Sequence, residues 1–401
     1  MRAIFSPSAA CGTMAAPPSK SYSHRALICA ALSDGVSAIH CVAPSRDLLA
    51  TMDCLRALGT DIDYRNGTAK VTGLDPKNVP NGAVLPCHAS GSTLRFLVPV
   101  ALLSDKQLRF TGIGRLLERP ISVYKNICSL QGLSFHLQPR QLDVCGPLVP
   151  GRFEIPGDVS SQFVSGMLFA LPLLPGDSMI EVTPPVESRP YIEMTLATLA
   201  SFGVDAAYSG HSIHIPGRQH YRPQDITIEG DWSNAAFFLA LNALGNQVTI
   251  SGLLPDSLQG DKICVHHFAA LQAGSPTIDL SDCPDLGPVC MALAGALHGA
   301  VFTGVRRLWL KESDRCAAMA EELAKFGIKS ENDKNKMTIH PCDLQQPTEP
   351  LWSHDDHRIA MALAVLLART GGVMDGAEAV DKSLPDFYPR LQKLGIEVTV
   401  S

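Results

Sequence analysis

The chain has 401 residues, 46% hydrophobic and 18% charged, with a net charge of −6. That length exceeds one ordinary core and predicts two domains, and the balance excludes a disordered chain. An acidic total without a basic run excludes nucleic acid as the expected partner, so cations that matter must act as local clusters.

The opening MRAIFSPSAACG lacks the apolar core of a signal peptide. The longest apolar runs, such as Ile359 to Ala368, are too short to span a membrane and follow charges. Twelve cysteines are scattered without CxxC spacing, which gives zinc no support. A reduced, cytoplasmic protein whose cysteines are mostly small core residues is expected.

In chain order, the first predicted helix starts in PPSKSYSHRALICAAL, residues 17–32. Ser19 or Ser21 is a suitable N-cap, and the prolines stiffen the entry. Lys20, Ser21 and Arg25 crowd its first turns, where the helix end is already partly positive. Cations there are out of place on a bare helix but apt beside a bound anion. A capped helix with a solvated basic face is the alternative at this point. ASGSTLRFLVPVALL, from Ala89, leads through Gly91 and Ser92 into a helix carrying Arg95. In GIGRLLERPI, Arg115 follows a Gly-x-Gly turn and Arg119 precedes Pro120. DVSSQF places Ser160, Ser161 and Gln162, neutral hydrogen-bonders suited to phosphate oxygens, at another predicted helix start, and EGDWSNAA forms a similar junction.

Further on, DCPDLGP holds Asp285. WLKESDRCAAMAEEL sets Lys311, Glu312 and Arg315 at a helix start, with the two cations four residues apart on one face. HDDHRIAMALAVLL puts Arg358 directly before the most apolar helix, and VDKSLPDFY places Lys382 in a turn. Adjacent His and Asp residues lack the i, i+4 spacing of a zinc helix, so metal is not expected at HDDH. No GxGxxG opens a helix and no GxxxxGK[ST] occurs, which leaves the common nucleotide phosphate loops unsupported.

A repeat runs beneath these motifs. Six helix-like segments reach a glycine, at 59, 132, 203, 274, 327 and 395, and alternating residues follow. The steps are 73, 71, 71, 53 and 68 residues. Each glycine is expected to be a left-handed helix cap, and each following stretch a strand. Six copies predict six αβ subdomains, three before residue 230 and three after. Lys20, Arg25, Arg115, Lys311, Arg315, Arg358 and Lys382 all fall at helix starts or in adjoining loops. Seven such cations predict substrates with several negative charges, gripped by planar guanidinium groups among others. Asp285 and Glu312 are then the acid–base candidates; cations lower a carboxyl pKa, so burial or a bound substrate must offset them where a protonated acid is needed.

The ordered set PSKSYSHR, SGSTLR, RLLERP, SSQF, SRPY, CPD, LKESDR, DHR and DKSLPDF resembles the 5-enolpyruvylshikimate-3-phosphate synthase family of enolpyruvyl transferases, from about residue 17 to 388. The resemblance implies an α/β fold of two similar domains, each of three βαβαββ-type units, an inside-out α/β barrel. One domain would comprise 1–16 plus 230–401, the other the inserted 17–229, with the active site in the cleft between them. The implied reaction carries the enolpyruvyl group of phosphoenolpyruvate to the 5-hydroxyl of shikimate 3-phosphate and releases phosphate. By the same carry-over, Lys20 touches both substrates, and Ser21 and Arg25 hold the shikimate carboxylate. Ser160, Ser161 and Ser188 bind its phosphate, with Gln162 and Tyr191 nearby. Arg115, Gln162, Lys382 and the Gly91 backbone hold the phosphoenolpyruvate phosphate, and Arg315 with Arg358 its carboxylate. Asp285 is the implied base, Glu312 the acid at the enol carbon, and Lys311 serves the shikimate and the developing charge.

No cofactor or metal is implied, and a monomer is expected. Ala89, His88, Arg307 and Trp309 depart from the family's usual residues; Ala89 is expected to weaken phosphoenolpyruvate binding or alter inhibitor response. Gly91 points towards glyphosate sensitivity. Two alternatives differ in consequence. A sister transferase using UDP-N-acetylglucosamine pairs its lysine with Asn where this chain has Ser21, and has a loop cysteine absent near Arg115. A non-catalytic anion-binding paralogue would need no Asp285 and Glu312.

Overall fold

Serine and aspartate caps decide where the chain turns helical. The computed structural model describes residues 1–401 and contains twelve α-helices: α1 (Lys20–Ala31), α2 (Arg46–Ala57), α3 (Gly91–Ala101), α4 (Ser122–Gln131), α5 (Ser161–Ala170), α6 (Arg189–Ser201), α7 (Trp232–Ala243), α8 (Cys264–Ala273), α9 (Gly287–Ala296), α10 (Arg315–Ala324), α11 (His357–Thr370) and α12 (Phe387–Lys393). The side chains of Ser19, Ser90, Ser160, Asp231, Asp314 and Asp356 accept from first-turn amides of α1, α3, α5, α7, α10 and α11. None of those six first turns contains an acidic residue. Their positive ends are left for something else.

The chain divides into two compact units, Met1–Pro17 with Gly230–Ser401, and Pro18–Glu229. The second unit contains three four-stranded sheets built to one plan. In one of them Val84–Pro86 runs parallel to Leu108–Thr111, which pairs antiparallel with Gln141–Cys145, flanked in turn by Ser134–Gln138. The sheet around Val36–His40 is completed by Asp225–Thr227, from the far end of the same unit. The first unit repeats the plan twice and adds a two-stranded sheet, Cys11–Ala15 with Gln247–Ser251. There the N-terminal strand Arg2–Phe5 lies in the middle of a sheet, between Gly372–Asp375 and Val398–Val400.

The six glycines of the repeat all follow helices, and five have positive φ, from 68° at Gly132 to 107° at Gly59. Gly274 differs: its φ of 168° is extended backbone. The chain runs from it straight into Thr277–Asp279, the first strand of the next sheet, without a hairpin of its own. The 53-residue step therefore marks the copy whose sheet has two strands.

Helices α1, α3 and α5 in one unit, and α7, α9 and α11 in the other, are buried on almost every side. Packing among them is close. Pro99 has no amide to give the Arg95 carbonyl one turn back, and Tyr124 Oη donates to that carbonyl at 2.6 Å instead. A Cβ at Gly166 of α5 would collide with both groups, so glycine permits the α3–α5 approach.

Candidate active site

The first turns of the central helices carry most of the predicted residues, and each unit is described separately. In the Pro18–Glu229 unit, Lys20 opens α1 and its Nζ lies 3.1 Å from Asp47 Oδ2, which sits in the first turn of α2. Arg25 is buried. It donates to Thr195 Oγ1 at 2.8 Å, to the Ser21 carbonyl at 3.0 Å and to the Tyr191 carbonyl at 2.9 Å. Three of its five N–H donors are thus used by the fold, which joins α1 to α6. Burial pulls the Arg25 pKa down to about 10. Ser188 precedes α6 in a left-handed conformation at φ 56°, a strained backbone of the sort stored at binding sites.

Gly91 is the first residue of α3, and Ser160 caps α5. Gln162 joins the two helices: its Oε1 accepts from Arg95 Nη1 at 2.7 Å and its Nε2 donates to Ser92 Oγ at 2.9 Å. A Cβ at Gly91 would lie 2.9 Å from Arg119 Nη1, so the Arg119 guanidinium rests on the start of α3. Arg115 does not. It is exposed and faces Glu118 at 3.6 Å. Of the two arginines in RLLERP, Arg119 and not the Arg115 expected from the sequence stands beside Gly91. The cause is local. Pro120 holds Arg119 extended, at φ −67° and ψ 150°, while Arg115 sits at the outer end of the turn after Gly114.

In the other unit, Asp285, Lys311, Glu312, Arg315, Arg358 and Lys382 form one continuous ion network. Asp285 Oδ1 lies 2.8 Å from Arg315 Nη1 and 3.3 Å from Lys311 Nζ, and its Oδ2 lies 3.3 Å from Arg358 Nη2. Glu312 is held between Lys382 Nζ at 3.1 Å and Arg315 Nη2 at 3.2 Å. Asp356, which the sequence reading left without a role, caps α11 and takes Arg315 Nε at 2.8 Å. Arg315 is therefore the hub of three carboxylates, so its expected grip on a substrate carboxylate competes with Asp285, Glu312 and Asp356. Arg358 Nη1 also reaches the Ser233 carbonyl and Asn234 Oδ1 at the start of α7, both at 3.2 Å.

These neighbours set the protonation states. Burial pushes the Asp285 carboxyl up, but Lys311, Arg358 and Arg315 outweigh it and hold it well below the usual range. Burial brings Lys311 down to about 8, against the attraction of Asp285 and with help from Arg315 and Arg307. Burial and Asp285 lift Asp261 to about 6, against Ser233 and Arg358. The network can bind anions by exchanging its own carboxylates for theirs, and can move protons where Asp285, Lys311 and Glu312 meet the exchanged ligand.

Outside this network, Glu321, Glu322 and His354 lie close enough to share an ion. Both Glu322 oxygens already pair with Lys325 Nζ, at 2.9 Å each. No helix is long and apolar enough to cross a membrane.

Repeated αβ subdomains around apolar central helices, with cations at their first turns, define the enolpyruvyl transferase fold. EPSP synthase from Acinetobacter baumannii superposes at a TM-score of 0.79 with 23% identity, covering 100% of this chain and 99% of that one. The enolpyruvyl transferase NikO from Streptomyces tendae superposes at 0.77 with 16% identity, covering 99% and 98%. Sequence then narrows the class. The model of the EPSP synthase (3-phosphoshikimate 1-carboxyvinyltransferase) family matches residues 6–391. The 3-phosphoshikimate 1-carboxyvinyltransferase of Clostridium kluyveri is 41% identical, over 96% of each chain. The chain belongs to the EPSP synthase family.

Proposed function

We propose that this protein transfers the enolpyruvyl group of phosphoenolpyruvate to the 5-hydroxyl of shikimate 3-phosphate, releasing phosphate, in the shikimate pathway to aromatic amino acids. Family membership over nearly the whole chain carries the reading. The hydroxyl oxygen adds to the enol C2 while C3 gains a proton; the tetrahedral adduct then loses phosphate from C2 and a proton from C3. Ser160, Ser161 and Ser188 take the shikimate phosphate, Ser21 and Arg25 its carboxylate, with Gln162 and Tyr191 beside them. The first-turn amides of α3 at Gly91, with Arg119, Gln162 and Lys382, take the phosphoenolpyruvate phosphate. Arg358 and Arg315 take its carboxylate, displacing Asp285 from them. That displacement removes two of the cations that depress Asp285 and makes it a better base toward the 5-hydroxyl. Lys311 shares that proton, Glu312 serves C3, and Lys20 steadies the charge on both substrates.

Both substrates are multiply charged phosphates retained by membranes, which supports a cytoplasmic location. The test is phosphate release from phosphoenolpyruvate with shikimate 3-phosphate, and with UDP-N-acetylglucosamine in parallel. Release with the first acceptor alone is expected. Release with the second alone selects the sister transferase. Binding of shikimate 3-phosphate without release selects a non-catalytic protein.

A further inference from the structure

A string of buried polar side chains in the Pro18–Glu229 unit has no part in the roles above. His24 of α1, Thr51 of α2, Thr93 of α3 and the α3 cap Ser90 are all at most 1% exposed. His24 Nδ1 lies 2.8 Å from Thr51 Oγ1, which lies 2.7 Å from Thr93 Oγ1, which lies 2.7 Å from Ser90 Oγ. Thr93 Oγ1 also reaches the backbone carbonyl of Asp47 at 3.3 Å, and the Asp47 carboxylate is the partner of Lys20.

The string has a direction. His24 Nε2 is buried without a hydrogen-bond partner. An orphaned buried N–H is rarer than an under-used acceptor, which puts the imidazole proton on Nδ1. His24 then donates to Thr51, Thr51 to Thr93, and Thr93 its one hydroxyl proton to Ser90, with the Asp47 carbonyl as a longer, shared acceptor. The ring is neutral, since burial takes its pKa down to about 3, and it packs edge-on against Phe96 at 6.3 Å between centroids. Apolar side chains would pack three helices together without this desolvation cost. A polar string linked ring to hydroxyl to hydroxyl does something they do not: it admits one relative placement of the helices.

We propose that His24, Thr51 and Thr93 are positioning residues that fix the first turn of α3 against α1 and α2, and so set the distance between the Gly91 amide and the Lys20 ammonium. None of the three touches substrate. The group whose placement they control is the phosphoenolpyruvate phosphate, so the inference rests on the function proposed above. Anion grips of this kind lose affinity with sub-ångström displacement, which a supporting shell of locked hydrogen bonds prevents.

The test compares Thr93→Val and Thr51→Val with Thr93→Ser, measuring KM for both substrates, kcat and Tm. Each valine keeps the shape and removes the hydroxyl. Both should raise the phosphoenolpyruvate KM about tenfold, equivalent to roughly 1.4 kcal/mol, while the shikimate 3-phosphate KM stays within about twofold. Thr93→Ser should restore the parent value. Nitrogen chemical shifts should show His24 neutral with its proton on Nδ1. A lower Tm with an unchanged phosphoenolpyruvate KM in both valine variants would overturn the proposal and leave the string as packing alone. Should Thr93→Val not fold, Thr51→Val, which keeps the Thr93 bonds to Ser90 and Asp47, decides by the same comparison. A parent protein that releases no phosphate with shikimate 3-phosphate overturns the functional reading itself, a result distinct from an active parent with unaffected variants.

Discussion

Asp285 and Glu312 share Arg315, yet their other cations differ. Glu312 sits between Lys382 and Arg315 at 3.1 and 3.2 Å, and its exchange for Gln keeps the volume and removes the transferable proton. Glu312→Gln should lower kcat by about 10² to 10⁴, the usual worth of a positioned general acid or base, with shikimate 3-phosphate affinity within about threefold. Unchanged turnover would remove Glu312 from the chemistry. Lys311 gives a pH dependence. Its pKa is lowered to about 8, so it is charged below that pH and neutral above it. The profile of kcat/KM, which reports the free enzyme, should therefore fall on the alkaline side with a midpoint near 8. Bound anions favour the charged form, so the corresponding limb of kcat should lie higher. Lys311→Arg keeps the charge and should move the kcat/KM limb upward; a limb that stays in place assigns it to another group. At this scale the sequence disclosed the cationic residues because Lys and Arg at helix starts violate the dipole rule that ordinary surfaces obey. It did not disclose Asp356, because a helix-capping aspartate has a sufficient local reason to be there. Only the fold shows that its carboxylate also holds Arg315.

At the scale of elements, the first turn of α3 shows what sequence spacing can and cannot resolve. RLLERP offers two arginines four residues apart, and nothing in the motif says which one faces Gly91. The deciding signal was Pro120, which fixes the extended backbone of Arg119. Arg119→Ala should raise the phosphoenolpyruvate KM by more than about tenfold, as expected for a charged hydrogen-bond donor, whereas Arg115→Ala should leave it within about twofold. The reverse ranking would return the phosphate grip to Arg115. Gly91→Ala acts on the same contact from the other side. Its Cβ would crowd the Arg119 guanidinium, the movable end of a flexible side chain, so Tm should hold while the phosphoenolpyruvate KM rises. The repeat itself was legible because a helix ending in a left-handed glycine is a local event, written in a few residues. Pairing between distant segments is not local. That Gly274 runs extended, and that its copy lacks a hairpin, depends on which strands Thr277–Asp279 and Gln247–Ser251 join.

At the scale of the whole molecule, chain connectivity separates two kinds of unit. Pro18–Glu229 is contiguous, and its first sheet is closed by its own last strand, Asp225–Thr227 against Val36–His40. The other unit is assembled from both chain ends. Its N-terminal strand supplies the buried Ala3 and Phe5 to a sheet whose other strands come from beyond residue 350. The contiguous unit has its own buried core of Ala, Leu, Ile, Val and Phe and needs no segment from elsewhere to complete a sheet. Expressed alone, residues 18–229 should therefore fold with a cooperative thermal transition, while a chain lacking residues 1–8 should lose the transition of the other unit only. The functional assignment makes a sharper demand on the same fragment. Ser21, Arg25, Ser160, Ser161, Ser188 and Tyr191 all lie within it, whereas Asp285, Lys311 and Glu312 do not. The fragment should bind shikimate 3-phosphate by calorimetry, more weakly than the full chain because Lys311 and Asp285 are missing, and should release no phosphate from phosphoenolpyruvate. A folded fragment with no affinity for shikimate 3-phosphate would mean that the shikimate-holding residues are wrongly assigned, because the Lys20–Asp47 ion pair and the Arg25 bonds to Thr195 and Tyr191 are complete within it. A fragment that bound as tightly as the full chain would instead strip Asp285 and Lys311 of any part in holding that substrate and confine them to the proton transfers.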